Sequence, residues 1–102
     1  MIKILVKKSE SFIQSISIKG HSNYDDSGKD IVCAGVSAVS IGGLNAIYEI
    51  TGQKPNCTIE DGNIQAIFSN DSVVQIIAQT VITQLQSIEE QYKEFIQIKY
   101  TQ

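Results

Sequence analysis

The chain has 102 residues, a mass of 11.2 kDa, 42% hydrophobic and 19% charged residues and a single proline, which suits one domain with one core, residues 1–102, and excludes a disordered chain. Eight Lys and Arg against eleven Asp and Glu give a formal charge of -3 and a pI near 4.9. No basic surface for phosphate backbones or anionic lipid is available, so neither nucleic acid nor a membrane is an expected partner.

From the N-terminus, Ile2 to Val6 and Phe12 to Lys19, separated by the polar Lys8-Ser9-Glu10-Ser11, predict a hairpin. Gly20 opens a polar loop, His21-Ser22-Asn23-Tyr24-Asp25-Asp26-Ser27-Gly28, whose composition offers little apolar area to hold it still. Asp30 then stands as an N-cap before a long apolar run, with Gly52 as its stop and Pro55 just beyond. That run is long enough to cross a bilayer, yet Ser37, Ser40, Asn45 and Glu49 interrupt it and no Lys or Arg anchors its ends. It reads as a buried core helix from Ile31 to about Thr51. Gly35, Gly42 and Gly43 inside it each cost about 0.8–1 kcal/mol relative to Ala. The face around Gly35, Ala38 and Gly42 is therefore a surface for close packing, within the chain first and between subunits second.

After Pro55, the runs Cys57 to Glu60 and Ile64 to Phe68 flank the turn pair Asp61-Gly62 and predict a second hairpin, with Cys57 as a packing residue. Asn70 or Asp71 caps a second helix with apolar positions Val74, Ile77, Val81, Leu85, Ile88 and Tyr92. Ile96, Ile98 and Tyr100 alternate with polar residues in a last strand. The order ββαββαβ predicts an α+β two-layer sandwich, a mainly antiparallel sheet carrying two helices.

Two cysteines, Cys33 and Cys57, are too few for a disulfide scaffold, and no signal-peptide pattern opens the chain, so the cytoplasm is the expected compartment. With Asp30 as the cap, Cys33 is the third helical residue and its sulfur lies at the positive end of the helix dipole, which favours a thiolate. His21, the one histidine, precedes Cys33 by twelve positions in a loop that must return to this helix start. It is placed to take the thiol proton and return it to a leaving amine. Helix-start N–H groups are the expected oxyanion donors. Asp30 serves as the cap, or also orients His21 as a third member. Against this stand two ordinary readings: a loop histidine is usually solvated, and a cysteine in an apolar helix is usually a small core residue. One histidine and two cysteines match no zinc spacing, and no Gly-Lys-Ser/Thr follows the loop glycines, so no metal and no nucleotide cofactor is expected.

The string Gly20-His21-Ser22, then Tyr24, Gly28 and Asp30-Ile31-Val32-Cys33-Ala34-Gly35-Val36-Ser37, resembles the signature of the ribosomal-processing cysteine protease family of Firmicutes and related bacteria. The likeness continues through Asn45-Ala46-Ile47 and Leu85 to Tyr92, and chain length agrees. The resemblance implies an endopeptidase that removes an N-terminal extension from a large-subunit ribosomal protein, the one known by the number twenty-seven. It also implies a homodimeric α/β sandwich whose glycine-flanked loop orders on its substrate. Cys33 and His21 become the implied catalytic pair, Asp30 and Ser37 supporting residues, and Gly20 and Gly28 the loop hinges. Ser22 stands where alanine is common in that family. Two other functions use the same residue types: a non-enzymatic docking module for ribosome assembly, and a thiol redox or acyl-transfer enzyme acting through Cys33.

Overall fold

The computed structural model describes residues 1–26 and 28–102; Ser27, in the polar loop, lies outside the described residues. The elements follow the expected order: β1 (Ile2–Lys8), β2 (Ile13–Lys19), α1 (Ile31–Thr51), β3 (Asn56–Glu60), β4 (Asn63–Ile67), α2 (Ser72–Gln91) and β5 (Ile96–Thr101). One five-stranded sheet runs β3-β4-β2-β1-β5, antiparallel throughout except that β1 and β5 pair in parallel. Strand alternation turns Ile2, Ile4, Val6, Ile16, Ile18, Ile64 and Ala66 inward, and both helices close over that face to form one core. An irregularity opposite Lys7 and Lys8 skips Gln14, which lets Ile13 and Ile16 both point inward although they are three apart. The opposite sheet face is mainly polar, with Lys3, Lys7, Ser15, Ser17, Gln65 and Lys99 beside the exposed Leu5 and Ile67, and Gln65 donates to the Ser17 hydroxyl across the strands.

Capping chemistry sets both helix starts. Asp30 accepts from the N–H groups of Val32 and Cys33, and Asp71 does the same for Val73 and Val74. Gly52, at φ 74°, stops α1 in the left-handed conformation that glycine adopts without strain. The expectation of a buried α1 needs correction: only Val32, Val36, Ser40, Leu44 and Ile47 of its 21 residues are buried. Ile31, Tyr48 and Ile50 are at least half exposed. By length and composition the helix could cross a membrane; here it docks through one face on the sheet and α2.

Gly43 explains why α1 and α2 come so close. A Cβ there would fall 2.2 Å from Val81 Cγ2, whereas Gly42 has open space around it and Gly35 meets only the Ile88 side chain, at 3.5 Å. Of the small residues singled out, Gly42 and Ala38 thus face outward, and it is Gly43 that provides the close in-chain packing.

Candidate active site

The end of β2 and the start of α1 build the site. Gly20 turns the chain at φ 95°, and its N–H donates to the Gly62 carbonyl at 2.9 Å, tying the end of β2 to the β3–β4 turn. A Cβ on Gly20 would lie 2.7 Å from the Met1 carbonyl oxygen, so this joint is held by backbone. Gly28, at φ 87°, has open space instead; the structure therefore separates the two expected hinges into a clamped position and a free one.

His21 follows Gly20 and rests against the turn: a Cβ on Gly62 would fall 2.8 Å from its Nε2 and 3.4 Å from Cδ2 and Cε1. Gly62 escaped the sequence reading except as a turn residue, because nothing in an Asp-Gly pair signals what packs on it. Among the described residues no hydrogen bond joins His21 to Cys33. They do line the same two openings, one of about 330 Å³ toward Ile41, Ile59 and Ile64, the other of about 580 Å³ toward Asp25 and Gly28. Ser37, one helical turn after Cys33, lines both. Asp25, Asp30, Glu60 and Asp61 border these openings and, among the described residues, no Lys or Arg does, so their field suits a neutral or cationic peptide rather than an anionic one.

Cys33 is the third residue of α1, half-buried and not disulfide-bonded. Its sulfur receives the Ser22 N–H at 3.3 Å, and its thiol donates to Ser22 Oγ at 3.4 Å. The Ser22 hydroxyl in turn donates to Asp30 Oδ2, and the Tyr24 N–H donates to the same carboxylate at 3.1 Å. Partial loss of water opposes ionisation of Asp30. Hydrogen bonds from the Ser22 hydroxyl and from the backbone of Cys33, Asp25 and Tyr24 together outweigh it and lower its pKa from 3.8 to about 2. Asp30 is therefore a cap and a tie for the loop, and the alternative in which it orients His21 has no contact behind it among the described residues.

Two expectations change. The N–H groups of Val32 and Cys33 are spent on Asp30 at 3.0 Å each, so they are not the free oxyanion donors anticipated at the helix start; the N–H facing the sulfur is that of Ser22. The loop is also better anchored than its polarity suggested, because the Tyr24 ring packs edge-on against Tyr92 and Phe95 at centroid distances of 5.6 and 5.1 Å. Among the described residues no three His, Cys, Asp or Glu side chains gather in a way that could hold a metal ion.

A cysteine on the first turn of a helix, sharing a peptide-sized cleft with a histidine, is the equipment of a thiol hydrolase. Residues 1–97 match the family model described as cysteine protease Prp. Among curated proteins, the chain is 37% identical to the ribosomal processing cysteine protease Prp of Staphylococcus aureus, over 89% of this chain and 90% of that one. It is 32% identical to the protein of the same name from Bacillus subtilis, over 96% of each. A solved structure of the S. aureus protease, described as essential and carrying a covalently linked product peptide, superposes with a TM-score of 0.93 at 34% identity, covering 98% of this chain and 99% of that one. Another, with a substrate peptide, gives 0.87 at 32% identity and the same coverage. The chain belongs to the cysteine protease Prp family, and the enzyme is a cysteine protease of α+β fold.

Proposed function

We propose that the protein is a ribosomal-processing endopeptidase that removes the N-terminal extension of a large-subunit ribosomal protein, the twenty-seventh, with Cys33 as nucleophile and His21 as general base and then general acid. The observation that carries this reading is Cys33 on the capped first turn of α1, lining the same cleft as His21. His21 takes the Cys33 thiol proton as the sulfur adds to the scissile carbonyl carbon. The imidazolium gives that proton to the leaving amine, which departs with the C–N bonding pair and leaves a thioester. Water adds to the thioester carbonyl while losing a proton to His21, and collapse expels the sulfur, which recovers that proton. The Ser22 N–H, already directed at the sulfur from 3.3 Å, is available to the oxyanion forming beside it.

The lack of a hydrogen bond between His21 and Cys33 among the described residues fits a pair that tightens when peptide fills the cleft they share. Ser37, at the mouth of both openings, is a supporting residue that borders the bound peptide, and Gly28 is the hinge with room to move. The ribosomal substrate is supported by the names of the relatives. The cytoplasm, where ribosomal proteins are made, is the fitting compartment. A homodimer is supported by the outward-facing Ala38 and Gly42 of α1 and by the half-exposed Ile31, Tyr48 and Ile50, and light scattering of the purified protein tests it. Cleavage of a peptide carrying the extension should vanish in Cys33→Ala and fall by several orders of magnitude in His21→Ala, with both variants folded. Cleavage at the wild-type rate by either variant would overturn the assignment.

A further inference from the structure

Three contacts converge on the hydroxyl of Ser22, a loop residue only 2% exposed. It donates to Asp30 Oδ2, accepts from the Tyr24 N–H at 3.3 Å and accepts from the Cys33 thiol at 3.4 Å. A hydroxyl owns one proton and two lone pairs, so its capacity is filled and the arrangement has a fixed polarity. The Asp30 carboxylate accepts only, and it therefore takes the proton. The Tyr24 N–H donates only, and it is shared between a lone pair of the Ser22 oxygen at 3.3 Å and Asp30 Oδ2 at 3.1 Å. The oxygen then presents its other lone pair to Cys33, where it receives the S–H and disfavours a thiolate, opposing the Ser22 N–H that donates to the same sulfur at 3.3 Å.

We propose that Ser22 is a positioning residue that holds Cys33 as a thiol in the resting enzyme, through a hydroxyl oriented by Asp30 and Tyr24. The inference rests on the reading of Cys33 as the nucleophile. When His21 removes the thiol proton, the Ser22 O–H must swing from Asp30 to the sulfur or leave a lone pair against a thiolate. The first course breaks one of the ties from the loop to Asp30, leaving that of the Tyr24 N–H, and the second loses a hydrogen bond. Either way, forming the thiolate costs the Ser22 hydroxyl one of its hydrogen bonds. The other charged or titratable groups bordering the cleft are His21, Asp25, Glu60 and Asp61, and the first turn of α1 adds no acidic residue.

The test is the pH profile of Cys33 alkylation by chloroacetamide in the free protein, read by mass spectrometry of the Cys33 peptide, for wild type and Ser22→Ala. Loss of one hydrogen bond to the thiol form should move the profile to lower pH and raise the rate below its midpoint roughly threefold to tenfold, with the alkaline plateau unchanged. A raised plateau with an unmoved midpoint would mean that the hydroxyl only packs the loop, and a shift to higher pH would mean that it stabilises the thiolate; each overturns the proposal. A second measurement leaves Ser22 intact: in Cys57→Ala, the remaining S–H stretching band belongs to Cys33. At neutral pH it should be present and displaced in the direction of a donating thiol, and its absence, or a free-thiol position, counts against the inference. Alkylation needs no peptide. A shifted profile in a protein that cleaves nothing would therefore remove the protease reading and leave the Ser22 effect standing, whereas an unshifted one in an active protease would do the reverse.

Discussion

Gly62→Ala should slow peptide cleavage by about a hundredfold while leaving the protein folded. The added Cβ would sit 2.8 Å from His21 Nε2, roughly 1 Å short of an ordinary carbon contact. The imidazole is exposed, so it swings aside rather than disrupting the core. A misplacement of about 1 Å in a catalytic group is worth about a hundredfold in rate. The backbone adds a separate cost, because position 62 has φ 69° and alanine in the left-handed region is strained by about 1–2 kcal/mol. Gly62→Asn separates the two effects: asparagine tolerates that conformation but carries the same Cβ. Both variants should lose kcat/KM on an extension peptide to a similar degree, while Tm falls further in Gly62→Ala than in Gly62→Asn. If both keep wild-type kcat/KM, or either gains activity, the contact with Gly62 does not help position His21 for catalysis.

Other substitutions probe the framework. Asp30→Ala should cost about 1 kcal/mol of stability through the lost cap, measured by denaturant titration. Because the pKa of Asp30 is depressed from 3.8 to about 2 in the folded state, its contribution is complete above 3.8 and is lost as pH falls through about 2. The stability gap between wild type and Asp30→Asn should therefore stay constant above pH 3.8 and close as pH falls through that window. Gly43→Ala forces a Cβ to within 2.2 Å of Val81 and should destabilise by about 1–3 kcal/mol; combined with Val81→Ala, the loss in a thermal melt should be smaller than the sum of the two. Gly20→Ala meets the Met1 carbonyl oxygen at φ 95° and should lose about 2–5 kcal/mol. Gly28→Ala meets no neighbour but is strained at φ 87°, so it should lose about 1–2 kcal/mol, stay folded and lose turnover, and unchanged turnover would remove Gly28 as a hinge.

Local chemistry was the legible part of this chain. Asp30 and Gly52 mark the ends of α1 because capping depends on residues within one turn, and the alternation in β1 and β4 displays the buried face directly. The strand order was not legible, since the parallel pairing of β1 with β5 joins the two ends of the chain and leaves no short-range signal. Gly42 and Gly43 are adjacent and alike in sequence, and only the path of α2 decides that one faces Val81 and the other open space. At the site, His21 and Cys33 stood out by residue type and by resemblance. Ser22 did not, because a small polar residue in a polar loop carries no mark of being buried between a thiol and a carboxylate. The seat of His21 on Gly62 was hidden for the same reason: it is a contact between segments forty-one positions apart.

The central claim is tested most directly by mass spectrometry of the large-subunit ribosomal protein bearing its N-terminal extension, after incubation with wild-type protein and, separately, with Cys33→Ala. A single cut that releases the extension, made by wild type alone, is the predicted result. An intact precursor after incubation with folded wild type, or the same cut made by Cys33→Ala, would contradict the account.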